Sequence, residues 1–219
     1  PVVNEKKQML GRITVDDIID VIQEEASEDI QKMAGLSEEE ETSYSAFRVS
    51  RIRLPWLLVA LTGQLVSAIV LSSFEASIQQ IIVASFFIPI VMAMGGSSGM
   101  QAAIVVVRGL ATGDIWMSQS FGRLFKEFKV ALINSLACSS ILLLVTLLFW
   151  SAGFKFSLVL SLSLLIIMVN ATMIGAIVPF VLNKLNIDPA IATGPFVTTM
   201  NDIVGLVIYF TLITHIYLV

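Results

Sequence analysis

The chain has 219 residues, 56% of them hydrophobic and 14% charged, with a formal net charge of −4. Residues 1–54 hold 12 of the 17 acids and 7 of the 13 Lys/Arg, a net of −5, whereas residues 55–219 hold 5 acids and 6 bases, a net of +1. An acidic soluble piece joined to an almost neutral apolar piece excludes nucleic-acid binding, since no basic patch lies outside the inter-helix loops, and the single cysteine, Cys138, excludes an intrachain disulfide or a CxxC metal site.

In the soluble piece, residues 1–3 and 10–15 flank a polar turn and read as two short strands. The opening residues lack the basic-then-apolar pattern of a cleavable leader. Asp16 and Asp17 then open a helix with Ile18, Ile19 and Ile22 on one face, and acids at a helix N-terminus suit its dipole. The same helix carries Asp20, Glu24, Glu25, Glu28 and Asp29. Spacings of four and five gather several of these carboxylates on one side, where oxygen ligands can hold hydrated Mg²⁺ or Ca²⁺; a solvated acidic face is the plainer reading of the same pattern. Glu38, Glu39, Glu40 and Glu41 read as a polar linker. The basic stretch 44–54 reads as a juxtamembrane helix at an anionic leaflet.

Stretches free of Lys, Arg, Asp and Glu cover residues 54–74, 76–107, 130–154, 156–183 and 189–219, the last broken only by Asp202. Each reaches the ~20 residues that a helix needs to cross the hydrocarbon core. None shows the period-2 alternation of a barrel strand. The expected fold is therefore an all-α polytopic membrane protein with five spans, at about 55–74, 77–108, 129–153, 157–183 and 192–218, behind a small α/β piece at 1–35 and a connecting segment at 36–54. Arg48, Arg51, Arg53, Arg108, Arg123, Lys126, Lys129 and Lys184 fall on one side and Lys155 alone on the other. The positive-inside rule puts the N-terminus in the cytoplasm and the C-terminus outside, with the protein multi-pass in the cell (inner) membrane.

The second span contains Pro89 and the run Gly95-Gly96-Ser97-Ser98-Gly99-Met100-Gln101. Gly95 and Gly99 permit close helix packing. Together with Pro89 and the polar side chains they also describe a loosened helix whose backbone lines a water-filled path. The fourth span offers Asn170, Thr172, Gly175 and Pro179, polar or small positions that glue helices as readily as they line a path. In the fifth, Thr198, Asp202 and Gly205 share a face just beyond Gly194-Pro195, and no Lys or Arg in that span neutralises the carboxylate. An intramembrane carboxylate costs about 3 kcal/mol at a helix centre unless it meets water, a partner or a cation. A cation site is favoured here over a protonated helix–helix contact. Catalysis is not expected: His215 is the lone histidine, Cys138 has no adjacent base, and no paired intramembrane carboxylates occur.

Five motifs in order, namely Phe74-Glu75, the run 95–101, Arg108-Gly109-Leu110-Ala111-Thr112-Gly113-Asp114, Asp188-Pro189-Ala190 and Thr199-Met200-Asn201-Asp202-Ile203-Val204-Gly205-Leu206, resemble the transmembrane domain of the MgtE magnesium transporter/channel family. The likeness extends over residues 48–219. Gly11, Thr14 and Asp17, in a Gly-x-x-Thr-x-x-Asp arrangement, are similar to the closing third of a CBS motif, whose larger regulatory domain is expected upstream. The resemblance implies a homodimer with a central pore for Mg²⁺ uptake, set among membrane lipid and closed by a connecting plug helix when cytosolic Mg²⁺ fills acidic sites. Asp20, Glu25, Glu28 and Asp29 are the candidate regulatory ligands. It implies that Asp202 recognises hydrated Mg²⁺ in the pore, that backbone carbonyls of Thr198 and Gly194 complete the shell, and that Thr14 and Asp17 contact ATP in an intact CBS domain. Ser97 and Gly194 stand where the family often has Asn. A broader divalent-cation channel (Mn²⁺, Co²⁺, Ca²⁺) and a proton-coupled cation transporter are the alternatives.

Overall fold

A computed structural model describes residues 1–34, 45–115, 120–150, 153–192 and 194–217, without the side chains of 23, 25–27, 29, 30, 191 and 192. Strands β1 (Val2–Val3) and β2 (Met9–Gly11) pair antiparallel around a turn in which Lys7 takes a positive φ of 57°. Helix α1 follows over Val15–Met33. Among the described residues, five helices or helical runs are long and apolar enough to span a membrane: α2 (Ala46–Ser72), the run Ile82–Ala111, α6 (Ser120–Phe149), α7 (Gly153–Lys184) and the run Pro195–Tyr217. At 1.5 Å per residue the shortest, of 23 residues, is about 34 Å long, enough for a core of about 30 Å.

Two boundaries differ from the expected ones. The basic stretch before the first span is not a separate helix: α2 begins at Ala46 and runs through Pro55 without interruption. Proline removes one backbone donor and crowds the preceding turn, but α2 continues as one helix that lies largely outside the bundle. The second span is divided upstream of its glycines. The region expected at 77–108 is divided among α3 (Glu75–Gln80), α4 (Ile82–Ser85) and α5 (Ile88–Ala111), with Ile81 at φ −134°, ψ 75° between the first two. Gly95, Gly96 and Gly99 all lie within the continuous α5.

Tertiary packing explains the location of that break. Tyr209 in α8 (Pro195–Leu212) is fully buried and donates its hydroxyl to the Ala84 carbonyl of α4 at 2.8 Å. The same carbonyl accepts from the Phe87 amide at 3.2 Å, so this buried backbone group beyond the break is fully served, which is the general requirement in an apolar solvent. Around it, Phe87 contacts Trp150 edge-on at 5.2 Å and Phe156 at 5.9 Å, and Phe74 stacks on Phe210 at 5.3 Å. This aromatic cluster closes one end of the bundle.

Helix α7 is the centre, packing against α5, α6 and α8, whereas α2 fastens to the bundle chiefly through α8. The approach of α5 to α7 is set by small residues. A Cβ built on Gly175 would lie 2.0 Å from the Gly99 carbonyl oxygen, so the two backbones touch directly. Close packing is therefore the use made of Gly99. The helix connection 185–188 and the 3₁₀ turn Pro189–Ala192 lie on the same side as α1, because Lys32 bonds Asp188 at 2.9 Å.

Candidate ion site

Asp202 sits in the second turn of α8 and is half-buried. Its Oδ2 accepts a hydrogen bond from the side-chain amide of Gln64 in α2 at 2.6 Å. No cation pairs with the carboxylate among the described residues. The neighbouring Gly63 makes this contact possible, since a Cβ there would fall 2.0 Å from the Thr199 methyl; without it α2 approaches α8 closely enough for Gln64 to reach across. Gln64 is the only amide in the first span. That isolation was the signal available from sequence, yet periodicity alone could not tell that its face meets Asp202.

Gly194 is buried and forms the N-cap of α8, with Pro195 at the first helical position, where a missing N–H costs nothing. Thr198 is half-buried and its hydroxyl donates to the Pro195 carbonyl at 3.1 Å. The Thr198 carbonyl lies in the interior of α8, where it serves the helix ladder four residues ahead of Asp202, whereas the Gly194 carbonyl is at the mouth of the helix. Gly205 faces away from Gln64: its nearest neighbours are Met92 of α5 and Ile167 of α7. The small residue thus seats α8 on the bundle while Asp202 looks toward α2.

Asn201, one residue earlier, is 4% exposed, and neither of its amide atoms has a hydrogen-bond partner. It lies against Gly99, where an added Cβ would meet its amide nitrogen at 2.1 Å. Ser98 of α5 pairs with Thr172 of α7 at 2.6 Å. The polar edge of α5 faces α6: Ser98 and Gln101 line a cavity of about 260 Å³ with Arg123, Lys126, Glu127 and Asn134. Ser97 lines a neighbouring cavity with Ser98, Gln101 and Asn134, so these α5 side chains are on a different side from Asp202.

At the soluble end, Thr14 and Asp17 are brought together, but on one another. Asp17 Oδ2 accepts from the Thr14 hydroxyl at 2.6 Å and from the Thr14 amide at 2.7 Å, while the Asp17 amide donates back to the hydroxyl at 3.3 Å. This reciprocal cap starts α1. The Thr14 hydroxyl and amide hold the Asp17 carboxyl below the usual range. Asp20 is exposed, Glu28 pairs with Lys32, and the side chains of Glu25 and Asp29 lie outside the described residues. Among the described residues no group of three or more His, Cys, Asp or Glu is placed to hold a metal ion. Lys32 instead reaches Asp188, whose other oxygen caps the Ala190 amide at 2.9 Å. Burial pushes the Asp188 carboxyl up, but the Lys32 and Ala190 hydrogen bonds and the Lys32 charge outweigh it, so that the group lies below its ordinary value.

Five long apolar helices among the described residues, one with a carboxylate that meets a neutral amide, define a multi-pass membrane protein. Residues 88–212 match the family model of MgtE, described as a divalent cation transporter. The chain is 37% identical over 214 residues to the magnesium transporter MgtE of Bacillus subtilis, covering 98% of this chain and 47% of that protein. It is 34% identical to the magnesium transporter MgtE of Thermus thermophilus (95% and 46% covered) and 32% identical to that of Enterococcus faecalis (97% and 46%). The chain belongs to the MgtE family, whose members are transporters rather than enzymes. It spans about half the length of these curated relatives.

Proposed function

We propose that the chain forms the membrane part of a Mg²⁺ channel or transporter that carries the ion inward down its electrochemical gradient. The observation that carries this reading is Asp202, a carboxylate within an apolar span that has a neutral amide, and no base, against it. Mg²⁺ sheds water reluctantly, so recognition is of the hydrated ion. Asp202 and its mate across a homodimer axis accept hydrogen bonds from the ion's water shell, helped by the carbonyls at Gly194 and Thr198. Outer-sphere binding of this kind is weak enough for exit, as conduction requires.

The N-terminus is cytoplasmic and the C-terminus extracytoplasmic in this reading, as the distribution of Lys and Arg favours. Cytosolic Mg²⁺ at Asp20, Glu25, Glu28 and Asp29 biases the closed state by its differential affinity for it. Thr14 and Asp17 contact a nucleotide once a complete CBS domain surrounds them. The description of the family as divalent cation transporters supports a second reading, in which Mn²⁺, Co²⁺ or Ca²⁺ also pass. Divalent-cation flux into proteoliposomes, with wild type beside Asp202→Ala and Asp202→Asn, tests both. Loss of Mg²⁺ flux in the variants is expected; unaltered flux in both refutes the site, and equal wild-type rates for all four ions favour the broader reading.

A further inference from the structure

We infer that Gln64 is a second ion-recognising group, acting with Asp202 as an acceptor for the water shell of the permeant ion; this rests on the reading of Asp202 given above. A carboxylate offers acceptors only, so the amide nitrogen of Gln64 is the atom that faces Asp202, at 2.6 Å. The orientation has two results. Gln64 has one of its two N–H groups, which would repel a hydrated cation, taken up by the carboxylate. Its carbonyl oxygen Oε1 is turned away, and neither it nor Asp202 Oδ1 has a hydrogen-bond partner among the described residues.

The surroundings fit a recognition role better than a purely structural one. Gln64 is exposed and Asp202 half-buried, so the pair opens on the outside of the protomer rather than into the α2–α8 contact. The close approach of the helices is secured next door by Gly63 against Thr199. A hydrated divalent cation presents water hydrogens on every side, and a notch offering two acceptor oxygens, with one amide N–H already taken up by the carboxylate, is complementary to it. The carboxylate supplies charge, and the amide supplies a neutral acceptor that strengthens binding without adding charge.

Cobalt(III) hexaammine tests the assignment, because it presents only N–H donors and does not lose its ligands. The purified chain in proteoliposomes is assayed for Mg²⁺ flux and for the hexaammine concentration that halves it, in wild type, Asp202→Ala, Gln64→Met and Gln64→Asn. Loss of one hydrogen bond to a charged group predicts that Gln64→Met raises the blocking concentration on the order of tenfold, with Gln64→Asn, one methylene short, shifted in the same direction. A packing role predicts lower maximal flux or less folded protein at an unchanged blocking concentration, and that result overturns the inference while Asp202 stands. Block and flux both retained in Asp202→Ala remove the underlying site instead.

Discussion

Gly175→Ala is the sharpest test of how the bundle is assembled. The new Cβ would lie 2.0 Å from the Gly99 carbonyl oxygen, 2.8 Å from its carbon and 3.0 Å from its Cα. All three are backbone atoms of a continuous helix, so no side-chain rotation relieves the clash. Bringing the methyl to an ordinary carbon–oxygen contact moves α5 from α7 by a little over ~1 Å, and a gap of that size forfeits roughly half of the dispersion energy at each contact it opens. Overpacking in a dense interior costs about 1–3 kcal/mol. Backbone against backbone places this substitution at the upper end, near ~3 kcal/mol, or on the order of a hundredfold in the folding equilibrium. The assay is thermal unfolding in detergent, followed by the fraction of protein that stays monodisperse on size exclusion after heating. Gly96→Ala is the matched control, because nothing lies within 4 Å of a Cβ at Gly96. A Gly175→Ala protein that survives heating as well as the Gly96→Ala protein refutes the direct α5–α7 contact.

Three further outcomes follow from named contacts. Tyr209→Phe removes one of the two donors to the buried Ala84 carbonyl, which keeps the Phe87 amide at 3.2 Å, a loss of about 0.5–1.5 kcal/mol, read as faster hydrogen exchange in residues 81–88 and a lower melting temperature. Asp188→Asn removes the charge that meets Lys32 and frees α1 for faster proteolysis; because the Asp188 carboxyl titrates below its unfolded value, this tie is fully present above the unfolded value and is lost as pH falls through the lowered one. Wild-type α1 should therefore become protease-sensitive on acidification, and Asp188→Asn should be sensitive at both pH values. Thr14→Ala deletes the cap at the start of α1, so amides 15–18 exchange faster while those of α7 are unchanged.

Apolar run length revealed the five spans because lipid leaves a chain few alternatives to long helices. Charge-free length cannot report a break inside a span, and nothing at Ile81 marks one: it is neither glycine nor proline, and Tyr209, which bonds the nearby Ala84, lies 125 residues from that alanine in sequence. Gly95-Gly96 looked like the weaker point, yet small residues also let helices touch, and α7 uses the neighbouring Gly99 that way. Asp202 was legible as a lone carboxylate. Gln64 was not singled out, since the face of a uniformly apolar helix that meets its neighbour is decided by packing. The acidic pattern in α1 pointed to a cluster, whereas Glu28 turns to Lys32, four residues on along the same helix.

The unbroken course of α2 gives the first span a mechanical property. Gln64 lies 18 residues beyond Ala46, so about 27 Å of rigid rod separates the basic end of the helix from the amide at Asp202. With the rod pivoting at its basic end, a tilt of only ~5° carries the far point sideways by about 2 Å, most of a hydrogen-bond length. Since α2 is held chiefly along one neighbour, little else resists such a swing. A change in the tilt of the helix about Arg48, Arg51 and Arg53 is thereby delivered, as displacement, to the side chain that meets Asp202.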